Sequence, residues 1–149
     1  MAPAERALIS GMTIITDAAP VIAATDPRDP NRERAQAFFA SSRESLVIPA
    51  PVTAEIDYLI GERSGTRAQT AFLQDIAAGR FRVECLTVEE YRLVLALSER
   101  YAALNPGLAD LSIVVLAHRF QTDRILTFDY RHFRAMEPLH GGSFELLPG

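Results

Sequence analysis

Four acidic residues stand where a carboxylate is chemically useful. Asp17 and Asp129 each follow an apolar run of strand-forming residues, Ile14-Ile15-Thr16 and Ile125-Leu126-Thr127-Phe128. Glu55 lies three residues after Val52 and four before Leu59, so it shares a helix face with two apolar side chains. Asp57, two positions on, points away from that face. Asp110 stands near the start of a helical stretch, with Ile113, Val114 and Ala117 stacked above it. Each acid has a plainer explanation on its own. A strand-end aspartate caps the following helix, and a first-turn acid answers the helix dipole or pairs with an arginine. If all four converge, they cannot stay ionised together without a cation. Carboxylate oxygens with no cysteine or usable histidine nearby select a hard ion, Mg2+ or Mn2+. The chemistry such a site performs best is phosphodiester hydrolysis, in which the ion activates water and stabilises charge on the attacking and leaving oxygens.

Strands alternating with helices would bring these acids together. The pattern predicts strands at 12–16, 46–48, 81–85, 124–128 and, last and shortest, 143–147. Between them it predicts helices over 18–24, from Asp29-Pro30 to about Ser41, from Pro51, from Thr66, from Thr87 to about Leu104, and over 108–120. Thr66 with Gln69 and Thr87 with Glu90 are spaced as capping boxes. Such alternation implies an α/β fold with a mainly parallel central sheet. In folds of this kind the site lies beyond the carboxyl ends of the strands, near the reversal of strand order. Asp17 and Asp129 sit at such ends. Asp123 falls at the entry of its strand, on the wrong edge.

Composition narrows the chemistry further. The chain has 149 residues, 48% of them hydrophobic, enough for one globular core. All 15 cationic residues are arginine. The absence of lysine removes P-loop NTPases, Schiff-base enzymes and phospho-aspartate receivers. It also disfavours a haloacid-dehalogenase-like phosphatase, whose second aspartate would fall where Ala19 stands. The net charge of −4 argues against a basic duplex-binding surface. It leaves a nucleic-acid substrate open, because a bound metal reverses the local charge of an acidic cleft. Cys85 is the single cysteine, so neither an internal disulfide nor a thiolate zinc site is expected. The longest unbroken apolar runs, such as Ile113–Ala117, are far short of the roughly 18 residues of a membrane span. With no apolar signal core in Met1–Gly11, a cytoplasmic protein is expected.

Four segments together resemble the successive motifs of the PIN-domain family. They are Ile15-Thr16-Asp17-Ala18-Ala19-Pro20, Thr53-Ala54-Glu55-Ile56-Asp57-Tyr58-Leu59, Gly107-Leu108-Ala109-Asp110, and Ile125-Leu126-Thr127-Phe128-Asp129-Tyr130-Arg131-His132-Phe133. Their order and the chain length are similar to those of the VapC toxins of bacterial type II toxin–antitoxin pairs. The resemblance implies a three-layer α/β/α PIN-like domain over 12–149, with 1–11 as an extension or disordered arm. It implies that Asp17, Glu55 and Asp110 are the core acids, with Asp129 the more variable fourth, around Mg2+ or Mn2+. It further implies an endoribonuclease acting on tRNA or ribosomal RNA, a homodimer, and silencing by a VapB-type antitoxin through which alone operator DNA is contacted. One departure stands out: the family usually carries a hydroxyl residue after the first aspartate, where this chain has Ala18-Ala19. That departure leaves a second reading, a weakly catalytic or inactive module that binds RNA or antitoxin.

The remaining residues carry weaker expectations. His118 lies about 12 Å beyond Asp110 along its helix and reads as structural. His132 reads as a turn residue, with Phe133 packing inward. Arg131, Arg134, Arg28 and Arg32 are candidates for guiding RNA phosphates.

Overall fold

Every strand is joined to the next through at least one helix, and the sheet is accordingly parallel throughout. The computed structural model describes residues 13–149. The extension expected at 1–11, and Met12 at the head of the first expected strand, lie outside them. Five strands, β1 (Thr13–Thr16), β2 (Ser45–Pro49), β3 (Arg82–Glu84), β4 (Arg124–Leu126) and β5 (Glu145–Leu147), are arranged in the order β3-β2-β1-β4-β5. The described helices are α1 (Ala18–Thr25), α2 (Arg32–Ser41), α3 (Ala50–Ser64), α4 (Thr66–Ala77), α5 (Val88–Arg100), α6 (Leu108–Arg119) and α7 (Tyr130–Ala135). The chain builds outward from β1 through β2 to β3, then crosses back to lay β4 and β5 on the other side. The switch therefore falls between β1 and β4, where Ile15 stands opposite Ile125 and Thr16 opposite Leu126.

Alternation along the strands divides the core into two apolar layers. Ile15, Val47 and Ile125 face one side, packed with Leu97 of α5, residues 111–117 of α6, and Phe133 and Met136 around α7. Ile48 faces the other side, packed with Val21 and Ile22 of α1, Val52, Ile56 and Ile60 of α3, and Phe72 of α4. The result is a three-layer α/β/α sandwich. In α6 all of residues 111–117 are buried. This is why its sequence reads as a continuous apolar run rather than a one-sided stripe.

Several boundaries differ from the sequence expectation for local reasons. The second helix begins at Arg32 rather than at Pro30. Asp29 uses its Oδ1 to accept from the Asn31 amide at 2.8 Å, making a turn instead of a cap. The Thr87 capping box forms, with the Glu90 amide donating to Thr87 Oγ1 at 3.1 Å and the Thr87 amide donating to Glu90 Oε1 at 3.0 Å. The Thr66 box does not. Gly65, at φ +89°, occupies the cap position of α4, and the Gln69 side chain crosses to α3, donating to the Asp57 carbonyl at 3.0 Å. Gly61 makes that crossing possible, since a Cβ there would lie 2.4 Å from Gln69 Nε2.

Replacing Thr87 with alanine should cost about 1 kcal/mol in urea unfolding. The same change at Thr66 should cost less than about 0.5 kcal/mol. Equal losses would contradict the caps described.

Candidate active site

The acids gather beyond the carboxyl edge of the sheet at the β1/β4 switch. β1 ends at Thr16 and delivers Asp17, whose amide donates to the Leu126 carbonyl of β4 at 2.9 Å. Asp17 also caps α1, its Oδ1 accepting from the Ala18 amide at 2.8 Å. Its Oδ2 accepts from Thr127 Oγ1 at 2.8 Å, and the same hydroxyl accepts from the Asp129 amide at 2.9 Å. One threonine thereby connects the acids that follow the two central strands. Thr16, by contrast, points its hydroxyl into the interior, where it has no hydrogen-bond partner.

Asp129 caps the short α7, accepting from the His132 amide through Oδ1 at 3.2 Å. Its Oδ2 lies 2.6 Å from His132 Nδ1, and that nitrogen is 3.4 Å from Asp110 Oδ2. Asp110 enters from the first turn of α6, placed at this edge because the helix must run back to begin β4. Among the described residues, donor atoms of Asp110, Asp129 and His132 all lie within 4.8 Å of one another. Sequence reasoning had set His132 aside as a turn residue. The signal that would have found it is its position three residues after Asp129, the spacing at which side chains meet on one helical turn.

Glu55 sits less deeply than its spacing implied. The buried stripe of α3 runs Val52, Ile56, Ile60 in steps of four. Glu55 stands about 100° around the helix from Ile56 and is exposed. Its charge is nonetheless felt at Asp110. Asp57, expected to be solvated, is half-buried.

Electrostatics sets these carboxylates apart from the rest of the surface. Burial pushes the Asp17 carboxyl up to about 6, against the lowering effect of the Thr127 and Ala18 hydrogen bonds, and the charges of Asp110 and Asp129 add to the rise. Asp110 is also raised by burial, partly offset by His132 and reinforced by Asp129 and Glu55. Among the described residues no arginine pairs with any of the four acids. The arginine ion pairs fall on Asp26, Asp75, Glu84, Glu89, Glu137, Glu90, Glu44 and Glu145. A clustered, partly buried anionic set with oxygen donors and no arginine counter-charge fits a divalent cation.

The arginines considered for phosphate contact are placed differently from one another. Arg28 is committed to Asp26 at 3.5 Å and to the Arg63 carbonyl at 3.0 Å. Arg32 is half-buried, its Nε without a partner. Arg131 and Arg134 are exposed on α7 beside Asp129, with Arg134 stacked 5.2 Å over the Tyr130 ring. Arg34, not singled out in the sequence, stacks 5.3 Å over Phe128 and donates to Tyr130 Oη at 3.1 Å. His118 stacks on His140 at 6.2 Å, away from the acids.

Sheet order and acids at the switch point together define a PIN-like α/β/α domain. A model of the PIN domain matches residues 14–137. Ribonuclease VapC26 of Mycobacterium tuberculosis is 34% identical over 135 residues, 91% of this chain and the whole of that protein. The crystal structure of VapC20 from the same organism, described as a toxin cleaving the sarcin–ricin loop, shares the fold. Its TM-score is 0.69 at 19% identity, covering 75% of this chain and 86% of that one. The chain belongs to the PIN-domain family, alongside the VapC-type toxin ribonucleases.

Because the folded-state pKa of Asp17 lies above the ordinary aspartate value of 3.8, the protonated form favours folding. That contribution is full below about pH 4 and is lost as pH rises through about 6. In metal-free protein, Asp17→Asn should therefore gain stability over wild type on going from pH 4 to pH 7, by on the order of 2 kcal/mol. Urea unfolding at both pH values reads this directly. A difference that does not change with pH would mean that Asp17 ionises without cost.

Proposed function

We propose that this protein is a metal-dependent endoribonuclease, the toxin of a toxin–antitoxin pair, hydrolysing RNA phosphodiester bonds at a Mg2+ or Mn2+ site. The observation that carries the reading is the set of acids at the β1/β4 switch, left without an arginine partner among the described residues of an arginine-rich chain. The ribonuclease and toxin names of the relatives support the same activity.

In this reading Asp17, Asp110 and Asp129 hold the ion, with Glu55 closing the set from the solvent side. When bound, the cation supplies neutralising charge for the phosphate and acidity for the attacking water. Asp17 is the fixed element, clamped by Thr127 and the Ala18 amide. Glu55 is exposed and free of hydrogen bonds, which suits it to orient the incoming water and receive its proton. Arg131 and Arg134, beside Asp129 and without acidic partners among the described residues, contact phosphates flanking the scissile bond. The Thr127 hydroxyl bonds Asp17, giving it the kind of support that a hydroxyl at Ala18 or Ala19 would otherwise supply. The departure at those two positions therefore does not argue for the inactive-module reading.

The substrates are structured RNAs of the tRNA or ribosomal class, encountered in the cytoplasm. The partners are a second copy of the chain and a VapB-type antitoxin, which alone contacts operator DNA. The antitoxin places a basic side chain among the same acids.

RNA cleavage by the purified protein should vanish with chelator and return with Mg2+ or Mn2+. Asp17→Asn and Asp110→Asn should each lower the rate by at least about 100-fold. Asp123→Asn, at the opposite edge of the sheet, should leave it unchanged. Chelator-resistant cleavage would remove the metal from the mechanism. Growth arrest persisting undiminished in both acid variants would favour the binding module.

A further inference from the structure

His132 holds a position that the carboxylate chemistry does not require. Its side chain is half-buried, and Nδ1 is drawn to two acids at once, Asp129 Oδ2 at 2.6 Å and Asp110 Oδ2 at 3.4 Å. Neighbouring donors around one octahedral ion, each about 2.1 Å from it, lie about 3 Å from one another. The two observed separations bracket that value. The imidazole is aimed by the backbone itself, since the His132 amide caps onto the other oxygen of Asp129 at 3.2 Å. A side chain serving only as a turn residue would have no reason to aim this nitrogen between two acids.

We infer that His132 is a nitrogen donor of the metal site, and that this donor makes the protein select a transition-metal ion, Mn2+, over Mg2+. The inference rests on the metal-dependent reading above and goes beyond it by naming a nitrogen donor and its consequence for ion choice. Mg2+ demands oxygen donors and gives up its waters reluctantly, whereas first-row transition ions accept imidazole readily. Three carboxylates retained beside one imidazole keep the site hard enough for Mn2+. His118 and His140, the other two histidines, stack on each other away from the acids, so no second imidazole competes.

The competing role for His132 is that of a counter-charge, a cation standing where the metal would go. The two roles predict opposite effects of removing it. Losing a donor weakens Mn2+ binding and spares Mg2+. Losing a counter-charge leaves the acids freer and strengthens binding of both ions.

The experiment is titration of the full-length, metal-stripped protein with Mn2+, followed by electron paramagnetic resonance, and with Mg2+ by competition against bound Mn2+. Wild type, His132→Ala and His132→Asn are compared. Asparagine sets a hard amide oxygen close to the place of Nδ1, and thermal unfolding verifies that each variant is folded. Wild type should prefer Mn2+ strongly. His132→Ala should bind Mn2+ about 10-fold more weakly with Mg2+ affinity changed less than about threefold, and His132→Asn should move the preference towards Mg2+. Unchanged Mn2+ affinity in folded variants, or a gain for both ions, overturns the nitrogen-donor role while leaving the metal-dependent reading intact. Wild-type protein that binds neither ion overturns both.

Discussion

A carboxylate with almost no access to water governs the organisation of this molecule. Asp17 must end β1 beside β4, because its amide is part of the backbone bonding across the switch, and its side chain then falls within the protein. Neither its cap on α1 nor its bond from Thr127 removes the cost of charge there, since burial still outweighs both. The adjoining acids, delivered by α6 and the β4–α7 turn, raise that cost. This costly electrostatic arrangement is consistent with the requirements of ion binding. A set of anions held rigidly in proximity, at the expense of stability, is what a divalent ion relieves on entering.

The arrangement of positive charge follows the same logic. Seven of the described arginines form ion pairs, and those pairs avoid the switch-point acids. Arg119 joins the end of α6 to Glu84 and Glu90, while Arg124 joins the start of β4 to Glu44 and Glu145. The Arg124 bridges fasten the entries of the strands, at the edge of the sheet opposite the acids. Near Asp129 the guanidinium groups rest on aromatic rings, Arg34 on Phe128 and Arg134 on Tyr130, and Arg34 also donates to the Gly149 oxygen at 2.6 Å. The imidazole of His132 alone reaches into the anionic cluster.

Much of this was legible in the sequence, because the strands are short apolar runs closed by an acid, and alternation with helices restricts the sheet to parallel pairing. Asp17 and Asp129 were read correctly as strand-end residues for the same reason. What escaped depended on competition between side chains. Gln69 could have capped its own helix or bridged to α3, and only the gap at Gly61 decides for the bridge. Glu55 fitted an apolar face by spacing, but the buried stripe runs through Ile56, which leaves the glutamate at its margin. The one local signal of His132 was its place three residues after Asp129, and that spacing says nothing of a second acid. Its meaning comes from Asp110, distant in the chain and carried on another helix. Thr127 stood in the sequence only as one residue of a strand run, and its double role depends on a register between strands that no local pattern encodes.

The burial of α6 on all sides has a further consequence. Asp110 is borne by a helix that contributes little of its length to the outer surface, whereas Arg131 and Arg134 are exposed on α7. Exposed residues of this kind can thus be exchanged over evolutionary time without disturbing the frame that carries the buried acids. Diversification of target within such a lineage would then be written on the periphery, and the hydrolytic centre inherited with the core.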